Sequence, residues 1–523
     1  VDARLPRWQL AVLVALLLLA HGYVVDTTLH FFNPNQISRV HLSLALAFDH
    51  KLAIDRFLVM LGTEDFSRFG GHSFTDKAPG VSFWLSPFAW LLFRSESHAS
   101  IGIQGYRAII YALRLVGISL PTVLAWLAGL RVYRAWTGSA SRAAFVVLAG
   151  ALGTNALVYA THIFGVVPCG ICLFASFALT RRARLETERS KGLWRAALAG
   201  TLASLAFVFD PLGLFAIAVL GLHVVIGARG RVLRGALFAL GALGPLGLWM
   251  AYNRACFGGV LETGINHLAD AGWAAEYAKG WHGFNPPTSE ALFGMWLSAK
   301  RGMLFLSPFL VLAIPGWVRL VRQRETRADA LASVGVVAAV TLFASMTIDW
   351  LGGWAVGERY LVPAVPFLLV GVAAALRPPS PGRRDAFSGL ALGLAVVSVV
   401  MVEASEVTFA QFPQPFDNPL RSFVWPLFRS GCVTSAYFLD HGRLLAYATF
   451  GVVTAVSVVM LGVLLRKRLV RQVPTFSFAL LVASLALLPM ARMGEPADKA
   501  KDQSEQASRV RWLMDCPPAD GPY

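Results

Sequence analysis

Residues 70–88 read GGHSFTDKAPGVSFWLSPF, so His72, Asp76 and Lys77 stand directly before Pro-Gly and an aromatic, apolar run. Upstream lie Asp49, Asp55, Glu64 and Asp65, interleaved with Arg39, His41, Arg56 and Arg68. A carboxylate at an apolar interface is partly desolvated, so its pKa rises and it can accept a proton in catalysis. A lysine beside it is a compact cation suited to phosphate. Taken singly, each of these residues is better explained as a charge solvated on a water-facing loop.

A second polar stretch, DWLGGWAVGERYLVPAVPF (349–367), sets Asp349, Glu358, Arg359 and Tyr360 at the mouths of two apolar runs. Its glycines permit close approach of backbone and ligand. An arginine at such a depth is costly without an anionic partner, either a carboxylate or a ligand phosphate. A purely structural Glu358–Arg359 pair satisfies the same requirement. His162 in YATHIFG and Asp210 in FVFDPLG can each line a substrate cavity, and each also reads as an ordinary polar turn residue. Cys169 and Cys172 have Cys-x-x-Cys spacing but no βαβ context, so they read as small buried hydrophobes. No spacing demands a metal, although a carboxylate-rich loop can hold a divalent cation such as Mg or Mn.

The elements that must position these residues are membrane helices. The 523 residues are 56% hydrophobic and 15% charged, against about a quarter charged in soluble domains. The expected fold is an all-α polytopic membrane protein. The first apolar run, Trp8 to Val25, lacks a small-residue cleavage site and reads as a retained span. The net charge of +16 falls in short clusters between apolar runs, such as RRARLETERSKGLWR and RLVRQRETR. That is the positive-inside pattern, not a nucleic-acid surface.

With those basic loops in the cytoplasm, the chain is expected to make about thirteen spans. Residues 1–492 form the transmembrane domain and 493–523 an extracytoplasmic tail. The first extracytoplasmic loop covers 26–105, with Val81–Phe93 lying along the outer interface and the second span at about Tyr106–Leu130. Later outer loops fall near Thr161–Val166, Asp210, Asn253–Arg301, Thr347–Glu358 and Glu403–His441. The inner loops are short and basic; the outer ones are long and carry the chemistry-bearing residues. Cys432 and Cys516 both fall outside, where a disulfide between them can form.

SFTDKAPGVSFWLSPF resembles the lysine-proline motif of GT-C superfamily glycosyltransferases, and the chain looks like bacterial relatives of the aminoarabinose transferases and protein O-mannosyltransferases. Further segments match in order: NPNQISRVHLSLALA, IDRFLVMLGTEDFSRFGGHSF, YATHIFG, FDPLGLF, AYNRACFGGVLETG, KRGMLFLSPFLVL, WLGGWAVGERYLVPAVPFL and DNPLRSFVWPLF. The likeness runs to about Cys432. It implies a GT-C-like bundle in the bacterial inner membrane with its site on the periplasmic face. The implied donor is a polyprenyl-phosphate sugar, and the acceptor is a hydroxyl on a glycan, lipid or protein. One loop carboxylate acts as general base and polyprenyl phosphate leaves with inversion. The candidates are Asp55 and Asp65, with Glu64 behind them. Lys77, Arg359 and His72 are expected to meet the donor phosphate. Asp76, His162, Asp210, Asn253, Glu358 and Tyr360 are expected to line the cavity.

The chain also departs from its relatives. Asn35-Gln36 replaces an Asp-Glu pair that follows the first span, and His41 takes the aspartate position of a common SRYDL stretch. Val166 stands where a histidine is usual after the FG of the short outer turn. Two other readings stay open. One is a transporter or flippase of a lipid-linked sugar, and the other an O-antigen ligase or polymerase using a diphosphate-linked donor.

Overall fold

The computed structural model describes residues 4–25, 33–94, 101–226, 230–280, 283–377, 384–436, 442–465, 481, 499–514 and 516. The loop start expected at Asp26, the loop end at His441 and the boundary at 492–493 lie outside them. The described secondary structure is helical apart from isolated bridges and a short antiparallel hairpin, Ser67–Phe69 with His72–Phe74. Seven of the described helices are long and apolar enough to cross a membrane: Ile103–Thr137, Val166–Leu185, Arg189–Phe209, Arg231–Phe257, Arg324–Met346, Phe387–Thr408 and Gly442–Leu465. Shorter apolar helices run over Arg7–Gly22, Gly80–Phe93, Ala140–Leu152, Pro211–Val225 and Arg359–Ala375. The protein is therefore an all-α, multi-pass membrane protein, and these lengths alone do not fix a count of thirteen spans.

The helix expected at about Tyr106–Leu130 runs further at both ends, from Ile103 to Thr137. Pro121 within it has no N–H to offer the Gly117 carbonyl four residues back. The helix opens there into a π turn, Leu115–Ser119, and the Trp84 indole Nε1 donates to the Gly117 carbonyl at 2.7 Å. A missing backbone donor thus becomes the docking point for helix Gly80–Phe93, which follows the KAPG motif.

Glu403, expected to open an outer loop, lies instead inside the helix Arg384–Thr408. No proline or glycine interrupts the run VVMVEASEVT, so the helix continues past its apolar part. Glu403 and Glu406 are both fully buried, and Glu406 accepts from Thr161 Oγ1 at 2.6 Å.

Elsewhere, the Asp329 carboxylate is met by Arg181 Nε at 2.7 Å, by His223 Nε2 at 3.1 Å and by Arg184. Asp329 is buried. Removing one member of a buried, hydrogen-bonded charge group costs about 3–5 kcal/mol. Asp329→Ala is accordingly expected to lower the unfolding midpoint in detergent sharply, read by thermal denaturation. Asp329→Asn is expected to fall between it and wild type.

The Cys432–Cys516 disulfide that the topology allows is formed. It ties the end of a C-terminal helix, Ala500–Leu513, to the segment after helix Trp425–Arg429.

Candidate active site

Three turns meet backbone to backbone. A Cβ on Gly80 of the KAPG motif would lie 2.5 Å from the Val208 carbonyl oxygen, and one on Gly165 of HIFG would overlap the Phe209 carbonyl. Only glycine allows these approaches. They bring Lys77, Phe164 and Asp210 together from three distant parts of the sequence.

Helix Pro34–Leu44 supplies the floor. Asn33 caps it by accepting from Gln36 N at 3.2 Å, with Pro34 at the first helical position. It buries Gln36, Ser38, Arg39, His41 and Ser43, an unusually polar set. Gln36 Oε1 accepts from Ile163 N at 2.8 Å, which fixes the HIFG turn against this helix. Arg39 is 4% exposed; its Nη1 donates to Asn35, and its Nε has no hydrogen-bond partner among the described residues. Burial pulls the Arg39 pKa down to about 10, while the charges of Asp210, Asp76 and Asp65 oppose that pull. It remains a cation at neutral pH.

The Arg39 guanidinium lies 5.9 Å from the centre of the Phe164 ring, and that of Arg359 lies 5.6 Å from the same ring. Arg359 Nη2 also donates to Tyr360 Oη at 3.1 Å. Neither arginine forms an ion pair with a described carboxylate. Two guanidiniums gathered on one ring make a site for an anion.

Lys77 differs. Its Nζ lies 2.9 Å from Asp65 and 2.7 Å from Asp76. Burial lowers its pKa, but the two carboxylates outweigh that and leave it raised. Asp76 is pushed up, first by burial and further by Asp65, with Lys77 opposing. Ser38 Oγ donates to Asp76 Oδ1 at 3.4 Å and shares a 2.6 Å bond with Thr75. Asp65 is the more accessible carboxylate, with its Oδ2 on Lys77 and its Oδ1 unbonded among the described residues.

The remaining expected residues divide. Asp210 Oδ1 accepts from Leu212 N at 3.2 Å, and burial pushes its pKa up against the fields of Arg39 and Arg359. Asp349 is likewise raised by burial, with Arg359, Arg301 and Lys77 pulling it back. His162 is buried behind Phe164, ring centres 6.0 Å apart, and bonds to Val158 O. Asn253 is buried on helix Arg231–Phe257 beside Tyr252, which packs edge-on to Phe83 at 5.6 Å. Asp55 and His72 are not in this cluster. Asp55, at the start of helix Asp55–Met60, pairs with His72 of the hairpin at 3.0 Å, their side chains 45% and 65% exposed. Burial raises the Asp55 pKa, but hydrogen bonds from His72 and from Ser73 N, at 2.7 Å, leave it lowered overall. Glu64 is exposed.

His41, at the relatives' aspartate position, is fully buried between Phe57 and Tyr106, with ring centres 6.4 and 5.8 Å away. Neither of its ring nitrogens has a described hydrogen-bond partner. Burial drives its pKa down to about 3, so it is neutral and part of the packing.

Glu358 is fully buried. Its Oε1 accepts from Tyr360 N at 3.0 Å, and Asn155 Nδ2 donates to its backbone carbonyl at 2.9 Å. Burial raises its pKa to about 8, against the fields of Arg301 and Arg359 and the Tyr360 N–H. The folded protein therefore holds a proton that the unfolded chain releases near the ordinary glutamate value. Stability is expected to fall as pH rises through that window to about 8. Glu358→Gln is expected to fold normally and flatten this dependence, as read from unfolding midpoints between pH 5 and 8. Glu358→Ala is expected to be destabilised at every pH.

Two contributors carried no sequence signal of their own role. Arg301, 1% exposed, donates to the carbonyls of Leu351, Gly353 and Phe412. Phe164 looked like one more apolar residue. Arg39 did leave a trace: Gln36, Arg39 and Ser43 fall at i, i+3 and i+7, a polar stripe on one helix face.

Among solved structures, ArnT from Cupriavidus metallidurans in the apo state is similar over 98% of this chain and 84% of that one, with TM-score 0.50 and 15% identity. The same protein bound to undecaprenyl phosphate aligns over 98% and 84%, with TM-score 0.46 and 14% identity. The arabinosyltransferase EmbB from Mycobacterium smegmatis aligns over 94% of this chain and 41% of that one, with TM-score 0.45 and 16% identity. No family model and no curated protein matches the chain. The likeness to ArnT is one of fold: the chain shares the helical membrane architecture of that protein.

Proposed function

We propose that this GT-C-type membrane protein transfers a sugar from a polyprenyl-phosphate donor to an acceptor hydroxyl on the extracytoplasmic side of a bacterial inner membrane. The observation that carries the reading is the Arg39–Arg359 pair on Phe164, two cations without ion-pair partners beside a carboxylate–lysine cluster. The pair suits the donor phosphate. A guanidinium fork binds phosphate oxygens in two-pronged fashion, and the positive charge offsets what the phosphate gains as it departs.

Asp65 is the proposed base. As the acceptor oxygen bonds to the anomeric carbon, its proton passes to Asp65, and the bond from that carbon to the phosphate oxygen breaks. Polyprenyl phosphate leaves with the electron pair, and attack from the opposite face inverts the sugar. Lys77, held between Asp65 and Asp76, keeps the Asp65 carboxylate aimed. Its ammonium is already shared by two carboxylates, so the phosphate falls to the arginines more than to Lys77. Asp55 and His72, paired with each other and partly exposed, stand apart from this chemistry. Among the described residues no three His, Cys, Asp or Glu side chains form a metal-ligand set.

Binding tests the reading. Purified protein in nanodiscs is titrated with polyprenyl phosphate, polyprenyl diphosphate and the free polyprenol. The monophosphate is expected to bind at least about tenfold more tightly than the alcohol, and Arg39→Ala to abolish the difference. Preference for the diphosphate would favour a ligase or polymerase chemistry instead.

A further inference from the structure

The C-terminal helix Ala500–Leu513 is fastened along its whole length. Lys499 Nζ pairs with Asp417 at 2.7 Å, Gln503 Nε2 donates to Pro415 O at 3.2 Å, and Arg511 Nη2 donates to Ser430 Oγ at 2.8 Å. Just past the helix, Arg443 donates to Met514 O at 2.5 Å, and Cys516 closes covalently on Cys432, 84 residues back.

What the helix grips is connected to the active site. Asp417 also meets Lys300 at 3.5 Å. The next residue, Arg301, donates to Phe412 O at 3.1 Å and to Gly353 O at 2.9 Å. Ala355 N donates to the same Phe412 carbonyl at 3.3 Å. Directly, the Arg509 guanidinium lies 6.0 Å from the Trp354 ring centre. The 347–358 loop thus held carries Asp349 and leads into Arg359. It has Gly352, Gly353 and Gly357 at φ +67°, +64° and +59°, a backbone with many alternative conformations that needs outside contacts to hold one.

We propose that the C-terminal helix, locked by Cys432–Cys516, is a strap that holds the 347–358 loop in place over the site and so positions Arg359 for the donor. The bond constrains a long loop of chain, so the strap is at full strength only when the two cysteines are oxidised. The part concerning the donor rests on the proposed function; the part concerning the loop does not.

Hydrogen exchange of residues 347–358 is compared in the oxidised protein, the same protein treated with a dithiol reductant, and Cys516→Ser. The reductant leaves two thiols and is itself oxidised. Arg509→Ala, with the bond intact, provides a variant free of any folding defect from the lost disulfide. Loop exchange is expected to quicken about tenfold or more on reduction, and by less in Arg509→Ala, with the long helices unchanged. KM for a polyprenyl-phosphate sugar is expected to rise about fivefold with kcat within about twofold, the mark of a positioning defect. Unchanged loop exchange after reduction overturns the proposal. Quickened exchange in a wild type that transfers no sugar would uphold the strap and overturn the proposed function.

Discussion

Arg39→Ala is expected to lower kcat/KM for a polyprenyl-phosphate sugar by about 10²–10³-fold, and Arg359→Ala by a similar factor, the usual loss when one preorganised donor to a developing negative charge is removed. The two arginines share the Phe164 ring, and the charge of Arg359 adds to burial in lowering the Arg39 pKa. Burying like charges without ion-pair partners is unfavourable. Arg39→Ala is therefore expected to raise the unfolding midpoint of the donor-free protein while it destroys activity. A structural arginine behaves oppositely, so midpoint and activity measured on the same sample separate the two roles. Arg39→Lys keeps the charge but loses the planar fork, and is expected to recover only part of the rate.

Asp65→Asn is expected to reduce kcat by about 10²–10⁴-fold, the range that general-base action contributes, with KM for the donor little changed. The comparison that gives this meaning is Asp55→Asn. Asp55 is bonded to His72 and Ser73 on an exposed hairpin, so its substitution is expected to leave kcat within about twofold of wild type, as for most surface changes. Asp76→Asn is expected to impair the enzyme through Lys77, which would lose one of its two carboxylates. Kinetics of the three variants on one donor check the assignment. A large loss in Asp55→Asn with a mild one in Asp65→Asn would reverse it.

The motifs that signal the site in the sequence are those whose glycines make contact across the fold. KAPG and HIFG are legible because Gly80 and Gly165 each press on the backbone at Val208–Phe209, and no other residue fits. Lys77 and Asp76 are legible as neighbours. What a linear reading does not carry is how remote segments pair. Gly70 and Gly71, at φ +58° and +83°, turn the hairpin that folds His72 back onto Asp55, so these two pair with each other and not with the Lys77 cluster. Glu358 reads as a partner for Arg359, yet its carboxyl takes the Tyr360 N–H and its carbonyl takes the Asn155 amide from a turn 203 residues earlier. Glu403 reads as the start of an outer loop, since charges usually mark loops in a membrane chain, but an unbroken helical run carries the helix past it. His41 shows the converse. Its polar type suggests chemistry, but its aromatic surroundings hold it neutral.

The central claim is sugar transfer, and the most direct measurement follows both products of it. Purified protein in liposomes is given a panel of radiolabelled polyprenyl-phosphate sugars with membrane extract as acceptor. Labelled acceptor and released polyprenyl phosphate are counted together, beside Asp65→Asn and Arg39→Ala. Equal amounts of both products from one donor, lost in both variants, are what the account expects. Donor that crosses the bilayer intact, with no acceptor labelled and no polyprenyl phosphate released, would contradict it and identify a transporter.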